Sequence, residues 1–95
     1  MDAPLSLTSI VVATSEQVSR SLGDESAILN LKNSVYYGMD PVGSRVWNLL
    51  AQRRSVGDLL NILVGEYDVE SERCERDLFL LLEKMRSEGL IEVVV

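Results

Sequence analysis

The stretch Val35-Tyr36-Tyr37-Gly38-Met39-Asp40-Pro41-Val42-Gly43-Ser44-Arg45-Val46-Trp47-Asn48-Leu49-Leu50 decides the fold. Val35, Tyr36 and Tyr37 are strand formers. Asp40 is a helix-capping residue, and Pro41 suits the first helical position, where a missing N–H costs nothing. Val42, Val46, Leu49 and Leu50 then recur at helical spacing and are expected on one buried face, with Trp47 beside them as a packing residue. A strand that runs straight into a helix is free to sit at the end of a sheet. An unpaired strand edge is a template for an extended peptide.

Working outward, a first strand is expected over Leu5–Ala13 and a second over Ala27–Leu31. Ser15–Asp24 reads as a polar connection with a turn signal at Gly23-Asp24, and Lys32-Asn33-Ser34 as a short turn. The three strands, the last over Val35–Met39, make an antiparallel meander. Three helices follow. The first spans Pro41–Ala51, with positive charge from Gln52-Arg53-Arg54 near its end. The second is capped by Ser55 and carries Val56, Leu59, Leu60, Leu63 and Val64. The third spans Ser71–Glu88 and stops at Gly89, a left-handed terminator. Leu90–Val95 is a β-prone tail. The expected class is α+β: a winged helix-turn-helix-like, three-stranded antiparallel sheet, then three helices and a short C-terminal β segment, all in one domain over residues 1–95.

Bulk properties narrow the function. The chain has 95 residues, 46% hydrophobic and 25% charged, a globular balance. Its net charge of −6 disfavours phosphate backbones and favours basic partners. With one cysteine, Cys74, no internal disulfide can form, and a reducing, cytoplasmic setting is expected. No apolar run has the length of a membrane span, and Met1–Ser9 lacks the pattern of a signal peptide. The chain has no histidine, no nucleophile–base pair and no glycine-rich phosphate loop, so neither catalysis nor a cofactor is expected. Glu66, Asp68, Glu70, Glu72 and Glu75 cluster without the spacing of a calcium loop, and no metal site is expected.

The third helix is apolar on more than one side. Cys74, Leu78, Leu81, Leu82 and Met85 form one stripe, and Phe79 and Leu80 lie off it. Cys74 suits an inert core thiol. Arg73 and Asp77 have the spacing of a solvated pair.

The order and spacing of Tyr36-Tyr37-Gly38-Met39-Asp40, Val42-Gly43, Val46-Trp47-Asn48-Leu49-Leu50, Ser55-Val56-Gly57-Asp58-Leu59, Tyr67-Asp68-Val69, Cys74-Glu75-Arg76-Asp77-Leu78, Leu81-Leu82 and Gly89-Leu90-Ile91 resemble the PqqD-like family, the RiPP recognition elements of ribosomal-peptide biosynthesis. The Tyr-Tyr-Gly opening is most similar to stand-alone members of lasso-peptide pathways. A partner of a radical enzyme in quinone-cofactor biosynthesis is the alternative within the family. The resemblance implies binding of a precursor's leader peptide as an added strand, and delivery of the precursor to a leader peptidase and a macrolactam synthetase. It implies a peptide-binding site of Val35, Tyr36, Tyr37, Gly38, Met39, Arg73, Cys74, Asp77, Leu78 and Leu81, with Asp77 pairing a basic leader residue or a backbone N–H. Two rivals are a winged helix that binds DNA and a module that dimerises through an open strand edge. The acidic third helix argues against DNA.

Overall fold

A computed structural model describes the backbone of residues 4–14, 17–22, 25–30 and 35–94, and their side chains except at 17–22, 25, 26 and 30. In chain order the elements are β1 (Ile10–Ala13), β2 (Gln17–Leu22), β3 (Glu25–Asn30), β4 (Val35–Met39), α1 (Pro41–Leu49), β5 (Arg54–Ser55), α2 (Val56–Glu66), α3 (Ser71–Ser87) and β6 (Ile91–Val94). The class is α+β, as the sequence implies. The expected turns at Gly23-Asp24 and Lys32-Asn33-Ser34 lie outside the described residues, as do Leu31 and Val95 at the ends of expected strands.

The single three-stranded meander is corrected to two antiparallel sheets, ordered β5-β1-β6 and β2-β3-β4. The first strand does not join the second. It pairs with the C-terminal strand, Ile10 facing Val94 and Ala13 facing Ile91, so two short apolar segments from opposite ends of the chain bury each other. Its place beside β3 and β4 is taken by Gln17–Leu22, within the expected connection. That stretch is a strand because it pairs residue for residue with β3, from Gln17–Asn30 to Leu22–Glu25. Strand state set by pairing overrides weak local propensity. The first strand is also shorter than expected. Ser9 N–H donates to Ser6 O at 3.1 Å and Ser6 N–H to Ser9 Oγ at 3.0 Å, a serine turn that diverts Leu5–Ser9 from the ladder.

The helix signals act locally. The Asp40 carboxylate accepts from Gly43 N–H at 2.7 Å, with Pro41 in the first turn. A Cβ at Gly43 would stand 3.1 Å from Asp40 Oδ1, so glycine suits this close approach. Helix α1 ends at Leu49, short of the expected Ala51, and Arg54 Nε donates to Leu49 O at 2.9 Å. Ser55 Oγ accepts from Asp58 N–H at 3.1 Å at the start of α2. Two further N–H groups there, of Val56 and Gly57, donate to Ser9 O and Leu7 O. Helix α3 closes on Gly89 at φ 74°, with Leu90 N–H to Met85 O at 2.9 Å and Gly89 N–H to Arg86 O at 3.1 Å. This is a Schellman end, and Leu90 and Met85 are both buried in the core.

One apolar core joins both sheets to the helices: Val11 from β1, Ile28 from β3, Val46, Trp47 and Leu50 around α1, Val56, Leu59 and Leu63 from α2, Leu78, Leu82 and Met85 from α3, then Leu90 and Ile91. Tyr37 and Met39 of β4 pack against it. Strand β4 is the last of its sheet, and its outer edge has no strand partner among the described residues. Among those residues, no helix is long and apolar enough to cross a membrane.

Candidate functional site

Strand alternation divides β4. Tyr37 and Met39 turn toward the core, and Val35, Tyr36 and Gly38 are exposed, Tyr36 by 71%. Ser44 Oγ donates to Met39 O at 3.3 Å and fixes the end of the strand to α1. Beside the strand lies a groove of about 740 Å³, bounded by β4, the start of α1, the α2–α3 connector and one flank of α3. At one end the Tyr37 hydroxyl donates to Glu88 Oε2 at 2.7 Å, tying strand to helix. An extended segment placed here would meet the outer edge of β4 on one side and side chains on the other.

Of the residues expected to bind peptide, the groove gathers Tyr37, Gly38, Met39, Arg73, Cys74, Asp77, Leu78 and Leu81. Val35 and Tyr36 lie on the same strand but do not line it. The α3 residues share a flank because they follow helical spacing: Arg73, Asp77, Leu81, Lys84 and Glu88 recur every three or four positions. Phe79 and Leu80 occupy the other flank, with Phe79 half-buried and Leu80 66% exposed. Among the described residues Arg73 and Asp77 form no ion pair, so the solvated pair that their spacing allows is absent and both charges stand open at the groove.

Sequence reasoning missed the other walls. Val42, expected on the buried face of α1, is 44% exposed and lines the groove, as does Val69 at 46%. Val46, Leu63 and Tyr67 lie deeper in it. An apolar residue between two carboxylates, as in Asp68-Val69-Glu70, was the available signal for the connector wall. The expected acidic cluster is dispersed. Asp68 and Glu70 face the groove, and Glu72 and Glu75 lie on the opposite flank of α3. Glu66 is held by Arg45 in a two-pronged pair, Nε–Oε1 2.9 Å and Nη2–Oε2 2.6 Å. Among the described residues no group of three metal-ligating side chains converges.

The Arg45 hydrogen bond holds the Glu66 carboxyl below its usual range, and the same bond raises the guanidinium. Burial raises the Cys74 thiol, with a smaller push from the negative charge of Asp77. A raised thiol is a poor nucleophile near neutrality, so Cys74 serves the groove as an apolar wall.

The family described as coenzyme PQQ synthesis protein D (PqqD) matches residues 25–91. No curated protein matches the chain. Two solved structures share the fold. One, TbiB1 in complex with the TbiA(beta) leader peptide, is 31% identical with a TM-score of 0.81, over 88% of this chain and 98% of that one. The other, lasso peptide synthetase B1 complexed with the leader peptide, is 20% identical with a TM-score of 0.76, over 86% of this chain and 96% of that one.

Proposed function

Since this chain belongs to the PqqD family, we propose that it is a leader-peptide recognition protein of a lasso-peptide pathway. One observation carries the reading. Among the described residues the outer edge of β4 has no strand partner and borders an apolar groove, in a fold whose relative TbiB1 was solved with a leader peptide. The leader joins β4 as a further strand, its backbone completing the ladder and alternate side chains entering the groove. Val35, Tyr36, Tyr37, Gly38 and Met39 supply the edge. Arg73, Cys74, Asp77, Leu78 and Leu81 form the facing wall. The protein acts without catalysis, as a single recognition domain in the cytoplasm, and presents the precursor to the leader peptidase and the macrolactam synthetase.

Helices α2 and α3, with the β1–β6 pair as a wing, are read as a winged helix-turn-helix turned from nucleic acid to peptide. The charge of α3, four carboxylates balancing four cations, supports that reading, since a phosphate-binding helix would carry a basic surplus. The family description favours a second reading, a carrier in quinone-cofactor synthesis. Titration by calorimetry separates them. The lasso precursor's leader binds with a one-to-one end point, and duplex DNA and a quinone-cofactor precursor peptide do not. Tight binding of the latter and no response to the lasso leader would overturn the assignment.

A further inference from the structure

Resting on the leader-binding reading, we propose that the groove selects a leader segment with a basic residue two positions from an apolar one, so that both side chains face it, and that Asp68, Glu70 and Asp77 attract the basic residue. The walls are unevenly charged. The carboxylates of Asp40, Asp68, Glu70, Asp77 and Glu88 stand against two cations, Arg73 and Lys84. Two of the carboxylates are committed within the chain: Asp40 accepts from Gly43 N–H and Glu88 from the Tyr37 hydroxyl. The side chains of Asp68, Glu70 and Asp77 have no hydrogen bond or ion pair among the described residues, and all three residues are exposed.

These three border the same groove. Asp68 and Glu70 flank Val69 on the connector. Asp77 lies seven residues beyond Glu70, two helical turns along the same flank. Val42 and Val69, each nearly half exposed, line the same groove. An apolar ligand side chain laid over these valines excludes water, and a cation–carboxylate contact beside it strengthens as the local dielectric falls. The surplus of negative charge sets the sign of the ligand. A second copy of this chain would bring like charge to like, and a nucleic acid would do the same.

Calorimetry with the synthetic leader peptide tests this at low and high salt. One copy of the leader has every Lys and Arg replaced by Gln; another has every Asp and Glu replaced by Asn or Gln. The protein is compared with D68N/E70Q/D77N and with E72Q/E75Q, each checked by its melting curve. Neutralising the basic residues of the leader is expected to weaken binding about tenfold. The triple acidic variant loses a similar factor and flattens the salt dependence, and the two losses do not add. E72Q/E75Q, which neutralises two carboxylates on the opposite flank of α3, loses far less. A leader without Lys or Arg that binds at full strength overturns the proposal, as does a loss in E72Q/E75Q as large as in the groove variant. If the unaltered leader binds and its charge changes are silent, this inference alone fails. If the unaltered leader does not bind, the leader-binding reading fails with it.

Discussion

Strands β4 and β6 both end a sheet, and among the described residues neither has a partner on its outer side. They manage that edge differently. Strand β6 has four residues, Ile91-Glu92-Val93-Val94, with an exposed carboxylate at Glu92. A short strand with an exposed charge is a usual protection against unwanted pairing. Strand β4 has five residues, Val35-Tyr36-Tyr37-Gly38-Met39, without charge or proline, and the apolar groove lies along it. An open edge is therefore not enough to define a site. On the proposed reading, the edge that lacks protection and has a wall to receive side chains is the one that takes another chain.

The largest expected effect sets the scale for both strands. Trp47, 6% exposed on α1, packs in the core that joins the two sheets. Trp47→Ala should cost about 3–5 kcal/mol, read by chemical denaturation, with leader binding lost only to the extent that the protein unfolds. Unchanged stability would show that the core does not depend on α1 as described.

Next is the β4 edge itself. N-methylation of alternate residues of the leader removes its donors to a strand partner, each worth about 1 kcal/mol. One alternate set should weaken binding about a hundredfold in calorimetry, and the other set little, because successive N–H groups of a strand point to opposite sides. Equal effects of both sets would break the analogy to a strand. Glu92→Ala on β6 should leave affinity unchanged.

A smaller effect is expected at the wall. Asp77→Ala should weaken leader binding by about 0.5–1.5 kcal/mol without lowering the melting temperature, since the residue is exposed on the groove flank of α3. Loss of stability in parallel with affinity would make Asp77 a structural residue. Cys74 reports the same wall. Its raised thiol should alkylate slowly near neutral pH and faster as pH climbs through that raised value. Bound leader should slow alkylation further, and Asp77→Ala should speed it in the free protein. Mass spectrometry of iodoacetamide-treated samples reads all three.

The smallest effect lies at the Arg45–Glu66 pair, which joins α1 to α2 at an exposed position. The folded carboxyl lies below its usual range. Its contribution is therefore complete above the unfolded value of about 4.3 and is lost as pH falls through the lower folded value. Glu66→Gln should melt slightly earlier at neutral pH, and the two curves should converge in acid, once pH lies below the folded value. A difference that persists in acid would exclude the pair as its cause.

How much of this was legible in the sequence follows from how local each signal is. Asp40-Pro41, Ser55 and Gly89 act within a turn of their own backbone, and each marks a helix end as expected. The partner of Ile10–Ala13 was not legible, because it lies at the other end of the chain. The strand state of Gln17–Leu22 depends on pairing with Glu25–Asn30 rather than on its own polar residues. Half of the groove was readable as β4 and the helical stripe of α3. The other half required tertiary placement. Val42 has the spacing of a core residue, yet the approach of α1 to the connector leaves it at a groove wall, opposite a valine set among carboxylates.

The central claim is that β4, and not β6, receives the leader. Amide hydrogen exchange with residue resolution, in the free protein and with saturating synthetic leader, tests it most directly. Alternate amides within Val35–Met39 are expected to slow by about tenfold or more, with smaller slowing along the groove flank of α3 and none in Ile91–Val94. Slowing confined to Ile91–Val94, or spread evenly over both sheets, would contradict it.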